Sequence, residues 1–151
     1  MKLPQLNFPE GIAEQIKCAE QEGIFKIWDN GRKKWLVSTP EEWVRQHCLQ
    51  YLHALGYPLS LMQTEGSLKT VRRTKRSDIL LFRNGAPFIL VECKAPTVKI
   101  SQDTFNQAFN YNTDVNARFI YITNGMQHFF WDTANSQQIE TLPSADDPNY
   151  G

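Results

Sequence analysis

Apolar positions along the chain follow two periods. From Val44 to Leu55 they fall three and four apart (Val44, Cys48, Tyr51, Leu52, Leu55), the stripe of a helix that buries one side. Thr39-Pro40-Glu41-Glu42 stands at its start, with a capping threonine, a proline at the first helical position and a glutamate three residues after the cap. Gly56 and Pro58 stop it. In Ser77–Phe82 and Phe88–Glu92 the apolar residues are instead consecutive, which predicts two strands covered on both faces and separated by Arg83-Asn84-Gly85-Ala86-Pro87. A second helix is predicted over 102–114, then strands over Arg118–Ile122 and Gln127–Trp131 around Thr123-Asn124-Gly125. Upstream, Ile24–Trp28 and Arg32–Val37 around Asp29-Asn30-Gly31 read as a hairpin, and 10–22 as a short helix stopped by Gly23. Residues 61–71 are a further strand candidate, and the polar tail from Ser144 reads as loose.

This order predicts an α/β (α+β) sandwich in one domain: a central mixed sheet flanked by helices, preceded by an N-terminal helix and hairpin. Residues 1–38 form the extension, 39–132 the core and 133–151 the tail. At 151 residues with 41% hydrophobic and 12% aromatic content, the chain can bury a core and does not belong to the disordered class. No apolar run approaches the roughly 20 residues of a membrane span. The first nine residues do not read as a signal peptide, and Cys18, Cys48 and Cys93 are scattered, so reduced thiols in a cytoplasmic protein are expected. Formal net charge is zero, so affinity for a polyanion would have to come from local clustering. Lys69, Arg72, Arg73, Lys75 and Arg76 form one such cluster just before Asp78, which reads either as a DNA phosphate clamp or as a solvated loop.

Charged residues interrupt the apolar strands at three places. Asp78 opens one run, and Glu92 and Lys94 close the next, two apart and therefore on one face. An acid buried in a strand is costly unless it is paired or binds a cation. Two acids at adjacent strand ends suit a hard divalent ion; the plainer alternative is a rim ion pair with Lys94. Register separates the cases. A regular hairpin with a two-residue Asn84-Gly85 turn would set Asp78 against Val91, whereas a three-residue loop or a bulge would set it against Glu92. A shared metal site therefore predicts an odd loop or a bulge.

Ser77-Asp78 followed by Val91-Glu92-Cys93-Lys94-Ala95-Pro96 resembles the PD-(D/E)XK nuclease signature, with serine in place of the signature proline. Together with Thr39–Gln46 and Gln107–Asn112, it resembles more narrowly the N-terminal nuclease domain of type I restriction enzyme R subunits, over roughly residues 24–132. The resemblance implies a restriction-endonuclease-like fold and Mg²⁺-dependent hydrolysis of DNA phosphodiesters, most simply as an endonuclease, with Mn²⁺ as a substitute metal. It implies Asp78, Glu92 and the Cys93 backbone carbonyl as metal ligands, Lys94 as the catalytic cation, and Gln107 with Tyr111 as a positioning pair. A glutamate from the preceding helix completes the site in related nucleases. Glu41 lies on the apolar stripe and Glu42 already serves the capping box, so Glu41 is the expected acid. Glu65 reads as a solvated edge residue, and His47, His53 and His128 as structural or surface residues. Expected partners are DNA and the helicase or specificity subunits of a restriction-type complex, with a homodimer compatible. The chain carries no Gly-x-x-x-x-Gly-Lys-Ser/Thr loop, so it is not expected to translocate DNA by itself. The competing expectations are a catalytically silent or partner-dependent DNA-binding module and a branched-DNA resolvase.

Overall fold

Helix α1 (Pro40–Ala54) starts at the cap the sequence marks: Thr39 Oγ1 accepts the Glu42 backbone N–H at 3.0 Å. The reciprocal half of the expected box is not made, because the Glu42 carboxylate turns to Arg45 and Gln46. The structure is a computed structural model describing residues 3–30, 32–64 and 78–150. Its main sheet runs in chain order through β4 (Met62–Thr64), β5 (Ile79–Arg83), β6 (Ala86–Cys93), β7 (Phe119–Thr123), β8 (His128–Asp132) and β9 (Gln137–Ile139), with β1–β3 forming a separate sheet. Neighbouring strands of the main sheet are antiparallel except β6 and β7, which are parallel and joined by the crossover helix α2 (Gln102–Val115).

Alternation along the strands separates two cores. Ile79, Leu81, Ile89, Val91, Phe119 and Tyr121 pack with Val44, Cys48 and Leu52 of α1. Leu80, Leu90, Ile120 and Ile122 pack with Ala108, Tyr111 and Val115 of α2. The helices thus cover opposite faces, which is why β5 and β6 read as unbroken apolar runs. This is the mixed sheet between helices that the sequence predicts.

The N-terminal helix expected over 10–22 does not form. A single 3₁₀ turn, Ala13–Gln15, leads into β1 (Cys18–Gln21), which pairs with β2 (Ile24–Asp29). Glu22 and Gly23 make the turn, both with positive φ (53° and 78°), as a two-residue type I′ hairpin requires. Helix propensity in Ala19-Glu20-Gln21 is a preference of tenths of a kcal/mol per residue, and strand pairing overrides it. The β2–β3 (Lys34–Val37) hairpin forms as expected. The tail is not loose either. Ala145 N–H donates to Leu55 O at 2.8 Å, and the Tyr150 ring packs on Phe88 and Phe119 beneath the Arg118 guanidinium. No helix among the described residues is long and apolar enough to cross a membrane.

Residues 3–9 lie across α1 and the β7–β8 turn. Trp43 Nε1 donates to Pro4 O at 2.8 Å and Asn7 N–H to Gly125 O at 2.8 Å, while the Phe8 ring sits 5.0 Å from His47 and 4.8 Å from His128. Burial lowers the pKa of both histidines, against a backbone hydrogen bond from each. A group whose folded pKa is depressed binds more protons when unfolded, so its stabilisation is complete above the unfolded value near 6.5 and is lost as pH falls through the folded pKa. The urea midpoint is therefore expected to fall as pH drops below about 6.5. His128→Gln should flatten that fall; an unchanged slope would remove His128 from the account.

Candidate functional site

The β5–β6 connection settles the register. Asn84 and Gly85 form a two-residue turn, with φ of 54° and 76°, between Arg83 and Ala86. The pairing then slips by one: Phe82 faces Pro87, but Leu81 faces Ile89, leaving Phe88 as the extra residue of a bulge. Beyond it the ladder runs to its last pair, Ile79 with Val91, and carrying that register one residue past the start of β5 aligns Asp78 with Glu92. The bulge therefore produces the opposition that an unbroken two-residue hairpin would have denied.

Asp78 is fixed in that position. Its backbone N–H donates to Val91 O at 3.2 Å, its Oδ2 accepts the Cys93 backbone N–H at 2.7 Å, and its Oδ1 accepts from Arg45 Nη2 at 3.0 Å. Asp78 and Glu92 are 7% and 5% exposed, burial that two carboxylates sustain only with compensating charge. Lys94 lies on the Glu92 face with Nζ 4.0 Å from Oε1, half-buried, and its backbone N–H is tied to Thr123 O of β7. The Cys93 side chain points the other way, into the core, with Sγ 3.8 Å from Cys48 Sγ. Burial raises the Cys93 thiol well above its ordinary pKa, so it stays protonated.

The donor set can be matched to a metal. Each Asp78 oxygen accepts one hydrogen bond, and a carboxylate has about four acceptor positions, so room for a cation remains. Among the described residues, no group of three or more His, Cys, Asp or Glu side chains converges. Two carboxylates are within the number that Mg²⁺ takes while it keeps several waters. A cavity of about 490 Å³ lined by Phe8, Tyr51, Tyr121, His128, Phe130 and Glu140 includes none of Asp78, Glu92 or Lys94. The acids lie where β5 begins and β6 ends.

The other expected residues divide. Tyr111 is buried among the α2-side core residues, on the sheet face that Glu92 shares with Leu90, while Gln107, one turn earlier, is exposed. Glu41 does not face the sheet: it is exposed, and Glu42 is the buried acid. Angle around the axis places Glu41 on the stripe, but in the first turn a side chain leaning toward the N-terminus projects past the core. The stripe was also a poor guide because α1 is buried almost all round from Glu42 to Gln50. Lys69, Arg72, Arg73, Lys75, Arg76 and Glu65 lie outside the described residues.

Arg45 is a site residue that the apolar pattern did not reveal. One guanidinium nitrogen donates to Glu42 Oε1 and another to Asp78 Oδ1. Burial works to lower its pKa, but Asp78 and Glu42 outweigh that and raise it, so the cation is firmly held. Burial pushes the Glu42 carboxyl above its usual range against the pull of Arg45, Gln46 and Arg32. The i,i+3 spacing of Glu42 and Arg45 was the available signal.

A family model described as type I restriction enzyme R protein N terminus matches residues 40–145. The match begins at α1 instead of residue 24, leaving out β1–β3, and runs past 132 through β9. No curated protein and no solved structure matches the chain.

Proposed function

The chain belongs to the type I restriction enzyme R protein N-terminus family, and on that premise we propose that it is a Mg²⁺-dependent deoxyribonuclease, most simply an endonuclease, with Mn²⁺ as a substitute metal. The observation that carries this reading is the bulge at Phe88, whose register, continued one residue past β5, aligns Asp78 with Glu92, and Glu92 in turn lies 4.0 Å from Lys94 Nζ. A hairpin built only for stability has no need to oppose two buried acids.

Asp78 and Glu92, with the Cys93 carbonyl, would hold the ion. When bound, such an ion lowers the pKa of a coordinated water and offsets charge on the scissile phosphate. Lys94 keeps part of its side chain exposed, at 29%, and can donate to a phosphate oxygen as negative charge grows there. Tyr111, in the core on the α2 side of the sheet, and Gln107, exposed one turn earlier on the same helix, would orient Lys94 or the backbone of the substrate. The partners of this reading are DNA and the helicase or specificity subunits of a restriction-type complex, in the cytoplasm.

The test is cleavage of supercoiled plasmid and linear duplex with Mg²⁺, Mn²⁺ or EDTA. Metal-dependent nicking, lost by on the order of 10²–10³ in Lys94→Ala, is the expected result. Cleavage that persists in EDTA, or that Lys94→Ala leaves intact, sinks the assignment.

A further inference from the structure

The charges that end on Asp78 begin in the N-terminal sheet, outside the family-matched span. Asp29, fully buried at the end of β2, accepts from Arg32 Nε at 2.5 Å, and Arg32 Nη2 lies 3.6 Å from Glu42 Oε1. Glu42 binds Arg45 through Oε1 and accepts from Gln46 Nε2 through Oε2 at 2.9 Å. Arg45 reaches Asp78. The signs alternate along this path, and Asp29, Glu42, Arg45 and Asp78 are all buried.

A chain of buried charges is a poor source of stability, because desolvation offsets most of the attraction and apolar replacements often do as well. What it supplies is geometry. The planar Arg45 fork engages two acids at once, and with Cys93 N–H on the other oxygen it fixes the Asp78 carboxylate from both sides. An arginine alone beside a metal ligand would repel a divalent ion. Glu42 directly behind it makes the pair neutral overall, so the constraint comes without much added repulsion.

We propose that Arg45 is a positioning residue for the metal-binding carboxylate of Asp78, and that Glu42 acts on the site through Arg45 and not as a third ligand. This rests on the divalent-ion reading of Asp78 and Glu92. Supporting partners of metal ligands are typically worth about 10–100-fold in metal affinity.

The test is calorimetric titration of the whole chain with Mn²⁺, without DNA, for the parent, Arg45→Lys, Glu42→Gln and Arg45→Met. Lysine keeps the charge but cannot span both acids, and glutamine keeps the shape of Glu42 while removing its charge. Both variants retain the cation beside Asp78, so they keep the proposal testable should Arg45→Met not fold. Folded Arg45→Lys and Glu42→Gln are expected to bind Mn²⁺ about 10-fold or more weakly, with Arg45→Met weaker still. Cleavage by the two milder variants should recover at saturating metal, a recovery that a general loss of structure would not give. Parental Mn²⁺ affinity in both folded variants overturns the proposal, as does tighter binding, which would make Arg45 a competitor for the site. A parent chain that binds no Mn²⁺ overturns the nuclease reading itself, and this inference with it.

Discussion

Glu92→Gln is expected to abolish metal-dependent cleavage at a smaller cost in stability than Asp78→Asn, which should lose cleavage and stability together. Both substitutions remove a negative charge from the proposed metal site, and losing one electrostatic contributor of this kind costs about 10²–10³ in rate or more. Their surroundings differ. Among the described residues Glu92 pairs with Lys94 Nζ, at 4.0 Å and on a part-exposed side chain, an interaction of the weak surface type. Asp78 is one of two carboxylates that, among the described residues, hold the buried Arg45. Removing one partner of a buried pair costs about 3–5 kcal/mol, and asparagine, which still offers an acceptor to Arg45, should fall at the low end. Against the 5–15 kcal/mol stability of a typical domain, the variant remains folded. Urea melts alongside plasmid nicking separate the two effects. Equal destabilisation by both variants would contradict the asymmetry, and nicking by Glu92→Gln would remove Glu92 from the metal site.

How much of this was legible beforehand depends on whether the controlling interaction was local. Helix α1 was legible because its cap and stops lie within a few residues of it, and β5 and β6 because their apolar runs are short and bounded by turn residues. The family was legible from Asp78, Glu92 and Lys94 with their flanking residues, and the match over 40–145 agrees with it. A shared site for Asp78 and Glu92 requires an odd loop or a bulge, and the fold supplies a regular turn and a bulge together. Pro87, which lacks the N–H of a regular ladder, marks an irregularity in this strand but does not choose between an odd loop and a bulge.

The failures share a cause. Residues 18–21 read as helix because their strand character comes from pairing with β2. Gln137 and Gln138 gave no strand signal because β9 is a short edge strand against β8. Glu41 was preferred over Glu42 because helical angle was read as if only one face of α1 met protein. In the fold, residues 3–9 and the β2–β3 turn also reach that helix. Burial from several sides is a property of the assembled chain, and the ion path from Asp29 to Asp78 depends on it.

Gly125→Ala tests that assembly where the N-terminal arm, α1 and the β7–β8 turn meet. Gly125 has φ +86°, and a Cβ there would lie 3.1 Å from both Leu6 Cδ atoms and 3.1 Å from Val44 Cγ2. The left-handed backbone costs an alanine about 1–2 kcal/mol, and forcing extra volume into a packed site about 1–3 more. A stiffer unfolded chain returns roughly 0.4–1 kcal/mol at a compatible site and cannot cancel this. Leu6 can yield by rotation, but Val44 is fully buried and stiff at χ1, and it precedes Arg45 on the helix. Gly85→Ala is the matching control, since φ there is +76° with nothing within 4 Å of the added carbon. Gly85→Ala should cost the backbone strain alone, and Gly125→Ala about 1–3 kcal/mol beyond it by urea denaturation. Equal losses would mean that the arm gives way freely and does not clamp α1. A larger loss at Gly125 would make the docked arm, which lies outside the family-matched span, part of what holds the helix carrying Arg45.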